Sequence, residues 1–178
     1  MLRASVALLA VLFAAAACST GGGASTNDAA AGDEAWRTAK IRDVVSGEEF
    51  RIADLEGKVV AIEAMAIWCL NCRFQQLEAR AALDEVDSPD VVYLSLDIDP
   101  NERAEDLAEY ARREGFDWRF AVASPEVARS LAASFGDQIL SPPATPLVVL
   151  GPDGEVVAQH IGIKGARSLA ALFEEHLP

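Results

Sequence analysis

Basic side chains are scarce in this chain: 15 Lys and Arg stand against 28 Asp and Glu, leaving a formal net charge of −13. That balance excludes binding driven by basic patches on nucleic-acid phosphates and a polybasic hold on anionic lipid, so no nucleic-acid partner is expected. An acidic surface chiefly provides solubility. Histidine is limited to His160 and His176, with no ligand spacing between them, and cysteine to Cys18, Cys69 and Cys72. The four clustered ligands of most structural zinc sites are therefore lacking. No apolar run reaches the roughly 20 residues of a membrane-spanning helix. No internal repeat is present, and a monomer is expected.

What the N-terminus does have reads as an export signal. Arg3 supplies a positive start, Ala4 to Phe13 a short apolar stretch, and the small residues Ala15, Ala16 and Ala17 lead directly to Cys18. The stretch resembles a bacterial lipobox, with Ala15 where Leu is commoner. The resemblance implies cleavage before Cys18, acylation of Cys18 and an extracytoplasmic place on a bacterial cell membrane; two or more acyl chains anchor stably where one holds only marginally. Ser19 to Gly32 carries no large apolar side chain, so it cannot offset its ordering entropy and reads as a flexible tether. Residues 1–17 are thus expected to be the signal, 18–35 the tether, and 36–178 a single domain of ordinary size.

Along that domain, Trp36 to Asp43 and Glu48 to Ile52 predict two short strands about a turn at Ser46 and Gly47. Val59 to Met65 is a nearly continuous apolar run, as in a strand buried on both faces of a parallel sheet. Arg73 to Val86 carries Phe74, Leu77, Ala81 and Leu83 at helical spacing. Val91 to Leu96 predicts a second buried strand, Glu102 to Glu114 a helix stopped by Gly115, and Trp118 to Val122 a short strand. Pro125 to Phe135 predicts a helix capped by Ser124. Leu147 to Leu150 and Glu155 to Ile161 flank a hairpin turn, and Ala166 to Leu177 closes the chain as a helix. This order predicts an α/β fold with a central mixed β-sheet flanked by helices and an N-terminal β-hairpin.

Cys69-Leu70-Asn71-Cys72 admits three readings: half a zinc site, a structural clip or a dithiol redox centre. Zinc lacks a second ligand pair, and so short a clip removes little entropy from the unfolded chain. The pair sits where a buried strand gives way to an amphipathic helix. A helix start favours thiolate on its first cysteine through free N–H groups and the helix dipole. Cys69 is therefore expected to be the nucleophile and Cys72, one turn in, the buried resolving thiol. Glu63 lies in the apolar run six residues earlier. Burial raises a carboxyl pKa, and an acceptor near neutral pH suits deprotonation of Cys72. Asp97, Asp99 and Asn101 do not make an EF-hand loop, because Glu102 and Ala108 stand where Gly and a bidentate Glu are required.

Trp68-Cys69-Leu70-Asn71-Cys72 after an apolar strand, Thr145-Pro146 before another strand, and Pro152-Asp153-Gly154-Glu155-Val156 in the last hairpin together resemble the thioredoxin fold. The likeness is greatest to the extracytoplasmic TlpA/ResA type, and it spans Trp36 to Leu177. It implies a thiol–disulfide oxidoreductase whose redox group is the Cys69–Cys72 disulfide, with no other cofactor. It also implies that Pro146 is a cis proline setting the preceding backbone beside the dithiol. Thr145 would pair through its main chain with an extended substrate segment, Glu63 would be the buried acid, and Trp68 would shield one side of Cys69. The implied partners are protein thiols and disulfides, such as apocytochrome c or assembly factors, and a membrane electron donor of the CcdA/DsbD type. Leu70-Asn71 departs from the family, where proline commonly precedes the second cysteine, and Gln75 stands where ResA-like members carry an acid. Arg73, beside Cys72, either favours thiolate or is solvated on the helix surface.

A second resemblance is to the Sco-type copper chaperones, through the loop from Ser95 to Pro100 and the insert after it. Those proteins carry a Cys-x-x-x-Cys pair and a histidine before the last hairpin. Here the cysteine spacing is shorter and residues 138–144 contain no His, which leaves two thiolates as soft Cu(I) ligands. Peroxidase relatives place Thr shortly before a single reactive cysteine, where this chain has Met65 and Ile67. Disulfide exchange with exported proteins is thus the expected function, and copper binding and delivery the alternative.

Overall fold

The computed structural model describes residues 34–178; the expected signal, Cys18 and the tether up to residue 33 lie outside the described residues. The chain opens with a helical turn, Ala35–Thr38 (α1), and a hairpin of Ile41–Arg42 (β1) and Glu49–Phe50 (β2). The main sheet is built from Val59–Met65 (β3), Val91–Asp97 (β4), Arg119–Val122 (β5), Leu147–Leu150 (β6) and Val156–His160 (β7), in the order β5-β4-β3-β6-β7. Between the strands run Leu70–Val86 (α2), Ala104–Glu114 (α3) and Pro125–Phe135 (α4), and Ala166–His176 (α5) ends the chain. β3, β4 and β5 are parallel, while β6 and β7 run antiparallel, which makes the sheet mixed as expected. No helix among the described residues is long and apolar enough to cross a membrane.

All seven residues of β3 are buried, the condition for a central strand covered on both faces. Val59, Ala61 and Met65 join a core completed by Ala79, Ala82, Leu107, Leu169 and Phe173, so α2, α3 and α5 cover one face. Val60, Ile62 and Ala64 point the other way, to Trp36, Val127 and Leu131 from α1 and α4. Local signals set the start of α4 and the end of α3 where the sequence says, while α3 begins at Ala104, two residues after its predicted start at Glu102. Ser124 Oγ accepts the Val127 N–H at 3.2 Å with Pro125 in the first turn of α4. Gly115 closes α3 in the left-handed conformation, φ 71°, that glycine adopts at no steric cost.

The N-terminus departs from expectation. The sequence predicts a strand from Trp36, but α1 forms there and only Ile41–Arg42 pairs as a strand. The cause is tertiary: Trp36 is buried edge-on against Phe135, its backbone N–H donates to Ser130 Oγ at 3.1 Å and its indole to Ser134 Oγ at 3.0 Å. The hairpin then docks on β5, with the Val44 N–H on Phe120 O at 2.7 Å and the Phe120 N–H on Asp43 Oδ1 at 3.2 Å. An otherwise open strand edge is thereby occupied.

Candidate active site

α2 begins three residues earlier than its apolar spacing predicts, because Cys69 is its cap. Cys69 Sγ accepts the Cys72 N–H at 3.1 Å, the kind of donor that stabilises a thiolate. The two sulfurs are joined as a disulfide. Cys72 is fully buried and Cys69 is 3% exposed. Cys72 Sγ lies 3.2 Å from the carbonyl oxygen of Pro142, which can accept its S–H once the bond is reduced. Asn71 Nδ2 donates to the carbonyl of Pro143 at 2.9 Å. A 3₁₀ turn, Pro142–Ala144, therefore packs against the dithiol from the far side of the chain. Trp68 (59% exposed) and Leu140 line a groove with Pro142, and Leu70, next to Cys69, is exposed as well.

Glu63 lies on the face of β3 that α2 covers, and it is fully buried. Its Oε2 accepts from Gln76 Nε2 and from Ser95 Oγ, each at 3.1 Å. Gln76 is held in turn by the Tyr110 hydroxyl at 2.5 Å, and Ser95 by the Trp118 indole at 3.0 Å. The buried Tyr93 hydroxyl stands beside the same carboxyl. Burial pushes the Glu63 carboxyl up to about 8, against the pull of the Gln76 and Ser95 hydrogen bonds. The result is a group able to take up or give back a proton near neutral pH, one helical turn from Cys72 through Gln76.

One expectation needs correction. No cis peptide bond occurs among the described residues, so Pro146 is trans. The chain reverses instead at Thr145, whose backbone is left-handed (φ 46°, ψ 58°) at the end of the 3₁₀ turn. The Thr145 N–H is engaged by Pro142 O at 2.8 Å, and the Pro146 carbonyl accepts the Ala64 N–H at 3.2 Å. Thus Pro142, rather than Pro146, brings a carbonyl to the dithiol, and the Thr145 N–H already has a partner inside the chain. Trp68, expected to shield Cys69, is exposed, and its indole donates to Asp99 Oδ2 at 2.7 Å, beside a groove lined by Pro100, Leu140 and Pro142. Arg73 is tied to Glu114 at 2.7 Å, which neutralises the charge it would lend to Cys72. Gln75 is buried and clasps the backbone of Lys164, accepting its N–H at 2.7 Å and donating to its carbonyl at 3.2 Å. Sequence reasoning missed Gln76, Ser95 and Pro142. Gln76 alone had a signal, lying four residues after Cys72 and so on the same helical face.

A thiol:disulfide interchange protein of the thioredoxin family from Chlorobium tepidum TLS superposes with a TM-score of 0.67 at 19% identity, over 78% of this chain and 92% of that one. The fold is thioredoxin-like. Other thioredoxin-like neighbours include the thioredoxin domain of a Bacteroides vulgatus thiol-disulfide oxidoreductase (TM-score 0.63, 16% identity, 78% and 92% covered). Arabidopsis thaliana ScoI with copper bound also superposes (TM-score 0.60, 17% identity, 76% and 94% covered). No family model matches the sequence, and no curated protein does. At such identities the thioredoxin-like likeness carries the fold, and the chemistry must come from the site.

Proposed function

We propose that this chain is a membrane-tethered, extracytoplasmic thiol–disulfide oxidoreductase of the TlpA/ResA type, lipid-anchored at Cys18 and reducing disulfides of exported proteins. The observation that carries the reading is the disulfide at the start of α2, with Cys69 capping the helix, Cys72 fully buried, and a proton-holding Glu63 beneath the helix. In the reducing direction the Cys69 thiolate attacks a substrate disulfide and one substrate thiolate leaves. Glu63 accepts the Cys72 proton. The Cys72 thiolate then attacks Cys69 Sγ, closes the internal disulfide and releases the second substrate thiolate. The substrate gains two electrons and the Cys69–Cys72 pair loses two. A membrane dithiol donor of the CcdA/DsbD type returns them, and no further cofactor takes part. Trp68, Leu70 and Phe74 would receive the substrate chain.

Copper delivery is the second reading, favoured by the likeness to the copper-bound ScoI; two thiolates suit Cu(I). The reduction potential of the Cys69–Cys72 pair in the full chain, held in detergent and read by tryptophan fluorescence in dithiothreitol and glutathione buffers, tests the proposal. A value near about −270 mV, as in thioredoxin, is expected for a reductase; a value near about −120 mV, as in DsbA, would make it an oxidant. Stoichiometric Cu(I) binding without disulfide exchange would put the copper reading first.

A further inference from the structure

An acidic pair lies behind the turn that presents Cys69, and the exchange chemistry makes no use of it. Asp97 ends β4 and is fully buried. Its Oδ1 accepts the Asp99 N–H at 2.9 Å, while Oδ2 has no donor among the described residues. The Asp97 carboxyl is in hydrogen-bond contact with that of Glu102. Two carboxyl groups can make that contact only with a proton between them. Glu102 Oε2 in turn accepts the Ile67 N–H at 2.7 Å. Ile67 sits in the turn from β3 to α2, where the Cys69 N–H donates to Ala66 O at 3.1 Å. The glutamate is thus a strut between the end of β4 and the chain two residues before the first cysteine.

We propose that Asp97 and Glu102 share one proton, and that Glu102, through the Ile67 N–H, is a positioning residue for the turn that presents Cys69. The inference rests on reading Cys69 as the reacting thiol. The charged groups around the pair are few. From its own loop comes Asp99, whose carboxyl is held below the usual range by the Trp68 indole and by Asn101, and which therefore stays negative. From α4 comes Arg129, lining the same cavity as Asp99 and Glu102. Arg103, next in the chain, is turned to Asp106 at 3.0 Å. The turn itself, Ala66 to Trp68, brings no charge. Burial and the Glu102 contact push Asp97 up to about 8, against the pull of the Asp99 N–H. Below that value Asp97 donates to Glu102 and the strut holds. Above it two carboxylates repel each other, Glu102 turns away, and the Ile67 N–H loses its acceptor.

The test begins with the disulfide form of the full chain in detergent, following Trp68 emission across the pH range around 8, with Trp68→Phe identifying its share of the signal. Cys69 and Cys72 do not titrate in that form, and the acid variants assign a transition to its carboxyl. Asp97→Asn gives Glu102 a permanent donor. Glu102→Gln gives Asp97 one and keeps an oxygen for Ile67. Both are expected to abolish the transition and retain the low-pH spectrum, while Glu63→Gln leaves the transition in place. In the reduced chain, the pH midpoint of Cys69 alkylation by iodoacetamide is expected to be higher in Glu102→Ala than in Glu102→Gln. Both variants lack the charge, so the difference isolates the hydrogen bond. A transition that survives Asp97→Asn and Glu102→Gln, or equal alkylation midpoints for the Ala and Gln variants, overturns the proposal. The expected shifts in a chain inactive in disulfide exchange would support the pair while overturning the functional reading.

Discussion

Glu63 and Asp97 sit on neighbouring strands and on the same face of the sheet, for Glu63 lies opposite Ser95 and Met65 opposite Asp97. Burial is complete for both, and it pushes both carboxyls up to about 8. Their company differs. Glu63 meets neutral donors, Gln76 and Ser95, which are fixed from behind by Tyr110 and Trp118. Asp97 meets another carboxyl. A neutral donor keeps its place whether the acid is charged or not, so Glu63 can pass a proton without moving its neighbours. A carboxyl partner cannot do this, because losing the shared proton turns attraction into repulsion. The same upward shift therefore suits one acid to proton transfer and the other to holding a turn.

The largest expected effect separates the two roles in kinetics. Glu63→Gln should slow release of a trapped mixed disulfide by about 10²–10⁴-fold near neutral pH, the usual contribution of a general base. In the parent chain that rate should rise with pH until Glu63 is deprotonated near 8, and the variant should lose the rise. Single-turnover kinetics with a peptide disulfide reads both, and an unchanged rate would remove Glu63 from the chemistry.

Stability against pH gives the next contrast. Each acid keeps a proton in the folded chain that the unfolded chain releases above its ordinary value, 4.5 for Glu63 and 3.8 for Asp97. Each contribution is complete below those values and is lost as pH climbs toward about 8, at up to about 1.4 kcal/mol per pH unit for each group. Urea unfolding at several pH values across that window should show stability falling with pH, and less steeply in Glu63→Gln and in Asp97→Asn. If both slopes match the parent's, neither acid holds its proton through the window.

The smallest effect sharpens the comparison. Tyr110→Phe removes the hydroxyl that holds Gln76, at a cost of about 1 kcal/mol. The Gln76 hydrogen bond lowers the Glu63 pKa, so weakening it should move the rising limb of the rate profile to higher pH. The Trp68 transition should stay where it is; its moving with the limb would mean that the two acids titrate as one system.

The parts of this molecule that announce themselves in sequence are those whose signals are local. The uniform run of β3, the Ser124–Pro125 start of α4, the turn between β6 and β7 and the cysteine spacing each carry their cause within a few residues. Glu63 was legible as buried because apolar residues surround it on a strand. The rest depends on partners far along the chain. α1 needs serines 94 and 98 residues away. Glu102 reads as an ordinary acid opening a helix until the turn after β3 is placed beside it. The trans bond at Pro146 contradicts an expectation taken from resemblance, and the left-handed turn at Thr145 leaves no mark in composition.

The Gln75 clasp has a mechanical meaning. A side-chain amide that both gives and takes a hydrogen bond with the backbone of Lys164 makes one rung of a ladder between elements that are not strands. Glu78, a turn further along α2, grips the first N–H of α5 at Ala166. Two fastenings on one side thus tie the helix that carries Cys72 to the closing helix of the chain, in addition to the apolar packing between them.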